Sequence, residues 1–140
     1  MSDAESLDGM STVEVRTSAT AALIPTIRAV ASDLAARADF DLDAISDLRM
    51  AVDEACATLV DAADSTSQLQ CRFLVRPERI RVHAEVQAAK PDAVLSTDTF
   101  GWRVLQTLAD DVTVDSSPGH DGVGPTVGIK LAKHAGDLPR

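Results

Sequence analysis

Residues 47–64 read DLRMAVDEACATLVDAAD, and no other stretch limits the fold as strongly. Leu48, Ala51, Val52, Ala55, Leu59 and Ala62 recur at three- and four-residue steps, which draws one apolar stripe along a helix. A stripe that wide is too costly to leave in water, so the helix needs a second layer to cover it. On a different face Glu54 and Thr58 stand four residues apart, with a carboxylate and a hydroxyl on adjacent turns. That face is where chemistry would sit. The same pair also fits a solvated helix glutamate beside a surface threonine.

The rest of the chain supplies the second layer. Residues 13–17, VEVRT, alternate apolar and polar side chains as a strand with one buried face does. A helix is expected from about residue 23 to 37, with Leu23, Ile27, Val30, Leu34 and Ala38 on one side and Pro25 in its first turn. Asp39, Asp41 and Asp43 offer N-caps to the central helix, expected over residues 43–64. Residues 69–75 and 79–86 read as two strands joined at Arg76-Pro77-Glu78, hence an antiparallel hairpin. The pattern stops over residues 87–99, which read as a mobile connection. A short third helix starts at Phe100 and carries Trp102, Leu105, Leu108 and Ala109; strands follow at 112–114 and 126–131 across a Gly- and Pro-rich turn. The order of elements predicts an α+β, two-layer sandwich: a mostly antiparallel sheet with three helices on one face. One domain over residues 13–133 is expected, with polar tails at 1–12 and 134–140.

Composition narrows the function. The net charge is −9, and the 13 Lys and Arg form no consecutive block, which argues against a nucleic-acid or anionic-membrane surface and for a basic protein partner. Neither an 18-residue apolar run nor a basic start before an apolar core is present, so neither a membrane span nor a signal peptide is expected, and the setting reads as cytoplasmic. Cys56 and Cys71 are too few for a zinc site or a disulfide framework and read as core residues. His83, His120 and His134 share no ligand spacing. The loop from Gly119 to Gly124 lies between Pro118 and Pro125 and precedes a strand, as a turn does and a phosphate-cradling loop does not.

Three segments together resemble a known family: Asp53-Glu54-Ala55-Cys56-Ala57-Thr58, the run FGWRVLQTLADDVTVDSSP over residues 100–118, and PTVGIKL over 125–131. They are similar to the RsbW and SpoIIAB type of anti-sigma factor, small ATP-dependent serine kinases of the histidine-kinase-like ATPase superfamily, and most similar to the UsfX-like branch. The resemblance runs from about residue 13 to 133. It implies a cytoplasmic, dimeric regulator of transcription in the stress response, which sequesters a sigma factor by direct binding. It further implies release by an anti-anti-sigma (STAS-type) protein, with transfer of the ATP γ-phosphate to a serine of that partner.

Residue by residue the match is uneven. Glu54 matches the family's catalytic base, and Thr58 stands where the family has a magnesium-holding asparagine. A threonine oxygen falls one bond short of an amide carbonyl, so only a weaker or water-mediated magnesium contact is expected. The adenine-binding Asp-x-Gly-x-Gly box is replaced by Val86-Gln87-Ala88-Ala89-Lys90. The Gly-rich phosphate motif is reduced to Asp98-Thr99-Phe100-Gly101, leaving Gly101 as the cofactor-binding match there. Thr126 matches the threonine of the last box, and Arg28 matches an arginine with which the family touches its sigma and anti-anti-sigma partners. ATP and magnesium are therefore expected to bind weakly or not at all. Two functions stay open, an ATP-dependent kinase and a binding module of the same fold without nucleotide. A small-molecule enzyme outside this family is a more distant third.

Overall fold

The computed structural model describes residues 10–120 and 122–136. In chain order it contains β1 (Ser11–Ser18), a 3-10 turn at Ala21–Leu23, α1 (Ile24–Arg37), α2 (Leu42–Ala62), β2 (Gln68–Arg76), β3 (Arg79–Gln87), α3 (Phe100–Leu108), β4 (Asp111–Ser117) and β5 (Thr126–His134). The strands form one sheet in the order β1-β2-β3-β5-β4, every neighbouring pair antiparallel. Helices α1, α2 and α3 cover one face, which is the two-layer α+β sandwich that the order of elements predicts.

Local chemistry sets each boundary. Pro25 sits in the first turn of α1, where its missing N–H costs nothing. That helix stops at Asp39, whose φ of 61° turns the chain left-handed, while the Phe40 N–H returns to the Ala35 carbonyl and the ring is buried. Of the three candidate caps it is Asp41 that starts α2, its Oδ1 accepting from the Ala44 N–H at 2.7 Å. The helix is 21 residues long, roughly 31 Å at 1.5 Å per residue, and crosses β2, β3 and β5. Its buried stripe is Ala44, Leu48, Ala51, Val52, Ala55, Cys56 and Leu59; Ala62 is only half-buried at the fraying end.

The inner face of the sheet answers that stripe with Leu69, Cys71, Phe73 and Val75 on β2, Ile80, Val82, Ala84 and Val86 on β3, and Val127, Ile129 and Leu131 on β5, all buried. Alternation then sends the intervening residues of every strand to the open face. The strands are longer than their apolar cores suggest. β1 starts at Ser11 because Ser11 still pairs with Val75, and β5 runs to His134, paired with Arg79 and held by an Asp110 carboxylate that accepts its N–H at 2.7 Å. The tails expected over 1–12 and 134–140 otherwise lie at positions 1–9 and 137–140, outside the described residues. The hairpin between β2 and β3 turns on Pro77-Glu78 alone, with Arg76 opposite Arg79. Gly122, at φ of +80°, makes the left-handed bend between β4 and β5.

Candidate functional site

Helices α2 and α3 meet where the polar face of α2 passes the first turn of α3. Thr99 caps that turn, its Oγ1 accepting from the Trp102 N–H at 3.0 Å. Gly101, two residues on, lies directly against Glu54: a Cβ built there would overlap the glutamate Oε2 and stand 3.1 Å from its Cδ. Two residues 47 positions apart in sequence are thus brought together, and a side chain at 101 would require the Glu54 carboxylate to swing aside. The carboxylate rests at the positive end of the α3 dipole, where an anion is stabilised.

Thr58 does not open a ligand position beside it. Its hydroxyl donates back to the Glu54 carbonyl at 3.0 Å and lies 3.4 Å from the Glu54 Oε2, so it is turned onto its own helix. Among the described residues no group of three His, Cys, Asp or Glu side chains is close enough together to hold a metal ion.

The segment at the place of the adenine box is occupied by backbone pairing. The Gln87 N–H donates to Ser67 Oγ at 2.9 Å, the Ala88 N–H to the Pro125 carbonyl at 2.9 Å and the Ala89 N–H to the Ala62 carbonyl at 3.0 Å; Ala88 is buried and no acidic side chain stands there. Thr126 is apart from Glu54, Thr58 and Gly101. It pairs with Gln87 and lines a groove with Gln68, Gln70 and Glu85 on the open side of the sheet.

Arg28 lies on α1 and reaches across to α2, where its Nη1 meets Asp53 Oδ2 at 3.1 Å with both side chains about one-third exposed. The pair leaves part of the guanidinium at the surface. Cys56 and Cys71 are both buried free thiols facing each other across the α2–sheet interface. The hydrogen bond between them, then burial, push the Cys56 thiol far above its ordinary range. They are core residues, as their spacing suggests.

Sequence reading missed one cluster altogether. Arg72, Arg79, Arg81 and Lys130 come together on the open face of the sheet around a groove of about 440 Å³. The signal was present, since the four arginines at 72, 76, 79 and 81 all fall on the outward positions of one hairpin.

Comparison with known proteins places this geometry. The description "Histidine kinase-like ATPase domain" matches residues 17–127. The anti-sigma-F factor RsbW, from two strains of Mycobacterium tuberculosis, is 35% identical over 120 residues, which is 85% of this chain and 68% of each relative. Among solved structures, the histidine kinase domain of the Erythrobacter litoralis EL346 blue-light activated histidine kinase superposes with a TM-score of 0.45 at 16% identity, over 79% of this chain and 59% of that one.

Proposed function

The chain belongs to the RsbW-type anti-sigma factors of the histidine-kinase-like ATPase superfamily, and on that premise we propose that it sequesters a sigma factor by direct contact and is released by an anti-anti-sigma protein, without phosphoryl transfer. The relatives' role supports the first part. So does charge: a sigma factor must expose basic surface to promoter DNA, and a domain of net charge −9 complements it. Arg28, on the helical layer, is the residue carried into that contact from the family, with Asp53 fixing its guanidinium.

The Glu54–Gly101 contact carries the second part. The residues present do not suit ATP. The Glu54 carboxylate lies against the first turn of α3, where it would repel a phosphate brought to that helix start, the Thr58 hydroxyl faces its own helix, and residues 86–90 offer no acid to the adenine amine. An active kinase is the second reading, favoured by Glu54 itself, which keeps the family's base at the end of a helix dipole. The homodimer and the cytoplasmic setting belong to the same proposal; among the described residues no helix is long and apolar enough to cross a membrane.

One set of measurements separates the readings. Purified protein is mixed with each sigma factor of its host and with labelled ATP and magnesium, and complex formation and transfer to the anti-anti-sigma partner are followed together. A stable, salt-sensitive sigma complex that Arg28→Glu weakens, with no phosphoserine on the partner, is the expected result. Magnesium-dependent phosphorylation that Glu54→Gln abolishes and Thr58→Asn increases would establish the kinase instead. Binding to no sigma factor would overturn the anti-sigma reading itself.

A further inference from the structure

The chain carries 22 acidic and 13 basic residues, yet the open face of its sheet concentrates the cations. Strand register explains how. Arg72 on β2, His83 on β3 and Lys130 on β5 are direct neighbours across three strands, while Arg79 and Arg81 follow at two-residue steps along β3. Neighbouring strands lie about 4.8 Å apart and alternate residues about 6.7 Å, so the cluster spans roughly 10 by 13 Å. The groove between them, about 440 Å³, has Leu74 and Ala132 among its lining residues, and a single acid, Asp111.

Two of these cations join no ion pair among the described residues. Arg72 reaches Glu14 at 3.2 Å and Lys130 reaches Asp115 at 3.5 Å. Neither Arg79 nor Arg81 joins any ion pair among the described residues, and the Arg79 Nε is buried without a hydrogen-bond partner. Arg79 also stands directly opposite Arg76 at the end of the hairpin, a like-charged pair that is unfavourable in isolation. An anion in the groove would relieve all three features.

We propose that this open face docks an extended acidic segment of a partner protein, distinct from the sigma contact placed on the helical layer. Alternate residues of an extended chain repeat at the same interval as Arg79 and Arg81, so two carboxylates on one side of such a segment meet both guanidinium groups in register, while Arg72 and Lys130 flank them. A nucleic acid fits less well. Its closely spaced phosphates would run past the cluster onto Glu14, Glu85 and Asp115, which bound it on the same face.

The probe is a fluorescein-labelled peptide of alternating glutamate and serine, followed by anisotropy against the full chain at low ionic strength. Controls are a peptide of the same composition with its glutamates contiguous, inorganic triphosphate and a single-stranded oligonucleotide. Arg81→Glu, at an exposed position, and Arg79→Glu should each weaken the alternating peptide at least tenfold, while Arg49→Glu, exposed on α2, should leave binding within twofold. Thermal melts confirm that each variant is folded; should Arg79→Glu not fold, Arg81→Glu decides. Absence of binding, equal loss with Arg49→Glu, or tighter binding of the contiguous peptide, triphosphate or oligonucleotide would each overturn the proposal. A sigma complex that survives Arg81→Glu would keep the two surfaces separate.

Discussion

Replacing Gly101 by alanine tests the contact on which the site turns. Gly101 is the second residue of α3 and has no left-handed backbone, so alanine fits its conformation. In a helix that exchange alone stabilises by about 0.5–1 kcal/mol, because the unfolded chain loses freedom. Here the new methyl overlaps the Glu54 Oε2, which is the end of a flexible side chain and swings away. Moving it forfeits a carboxylate at a helix N-terminus, typically worth about 0.3–1 kcal/mol. The two effects nearly cancel, so Gly101→Ala alone should change stability by less than about 0.5 kcal/mol. In a Glu54→Ala background nothing is displaced, and the same exchange should stabilise by its full amount of about 0.5–1 kcal/mol. Urea unfolding of the four proteins gives the coupling as a double-mutant cycle, expected near 0.5–1 kcal/mol. If the methyl stabilises both backgrounds equally, within about 0.3 kcal/mol, Glu54 does not occupy the start of α3 and the case against phosphate binding loses its support.

Other perturbations follow from the same geometry. Phe73, fully buried on the inner face of β2, should cost about 3–5 kcal/mol on truncation to alanine, read from the urea midpoint. Lys133 is 14% exposed, donates to the Leu108 carbonyl at 3.0 Å and pairs with Asp47 at 3.3 Å; Lys133→Met, which keeps the stem but strands both partners, should destabilise by about 1–3 kcal/mol. The backbone N–H and then the hydroxyl of Thr66 hold the Asp64 carboxyl below its ordinary range. Asp64 should therefore stay ionised to lower pH than a free aspartate, contributing stability above the free value that is lost as pH falls through the depressed one, and Thr66→Ala should raise its NMR titration midpoint part of the way back. With its thiol raised by Cys71 and by burial, Cys56 should resist alkylation at neutral pH until the chain is unfolded. Its contribution to stability should hold below about pH 8.5, the free thiol value, and decline as pH rises above it. A flat alkaline limb in denaturant midpoints, or the same limb in Cys56→Ala, would refute that assignment.

The elements were legible because their signals are local. The stripe of α2 and the alternation of Ile80, Val82, Ala84 and Val86 need no knowledge of what lies across the interface. Strand ends were not, since Ser18, Gln68 and His134 belong to strands only through the partners that register assigns them. The insertion of β5 between β3 and β4 leaves no trace in spacing either, and without it Lys130 does not stand beside His83. Resemblance could locate Glu54, Thr58, Gly101 and Thr126 one at a time. It could not show that Glu54 leans on Gly101, that Thr58 bonds its own helix, or that Thr126 lies with the groove residues of the sheet's open side. Arg28 was found as an isolated helix arginine, and its anchor, Asp53, is 25 residues away.

Charge misled in a more instructive way. Looking for consecutive cations is suited to tails and basic helices, whereas a strand distributes its outward residues at every second position and a sheet then sums them across neighbours. Arg72, Arg79, Arg81 and Lys130 are scattered over nearly sixty positions and converge only through two antiparallel pairings. Much of the acidity lies in the other layer: Asp43, Asp47, Asp53, Glu54 and Asp61 are all on α2. The net charge of −9, which counts every residue of the chain, therefore hides a difference in character between the two faces. Fields from such faces are felt separately by a partner that approaches within about 8–10 Å, the screening length at ordinary ionic strength. If both proposals hold, a basic sigma surface would be drawn to the helical layer and an acidic segment to the sheet, and one small domain would select two partners by sign before any contact forms.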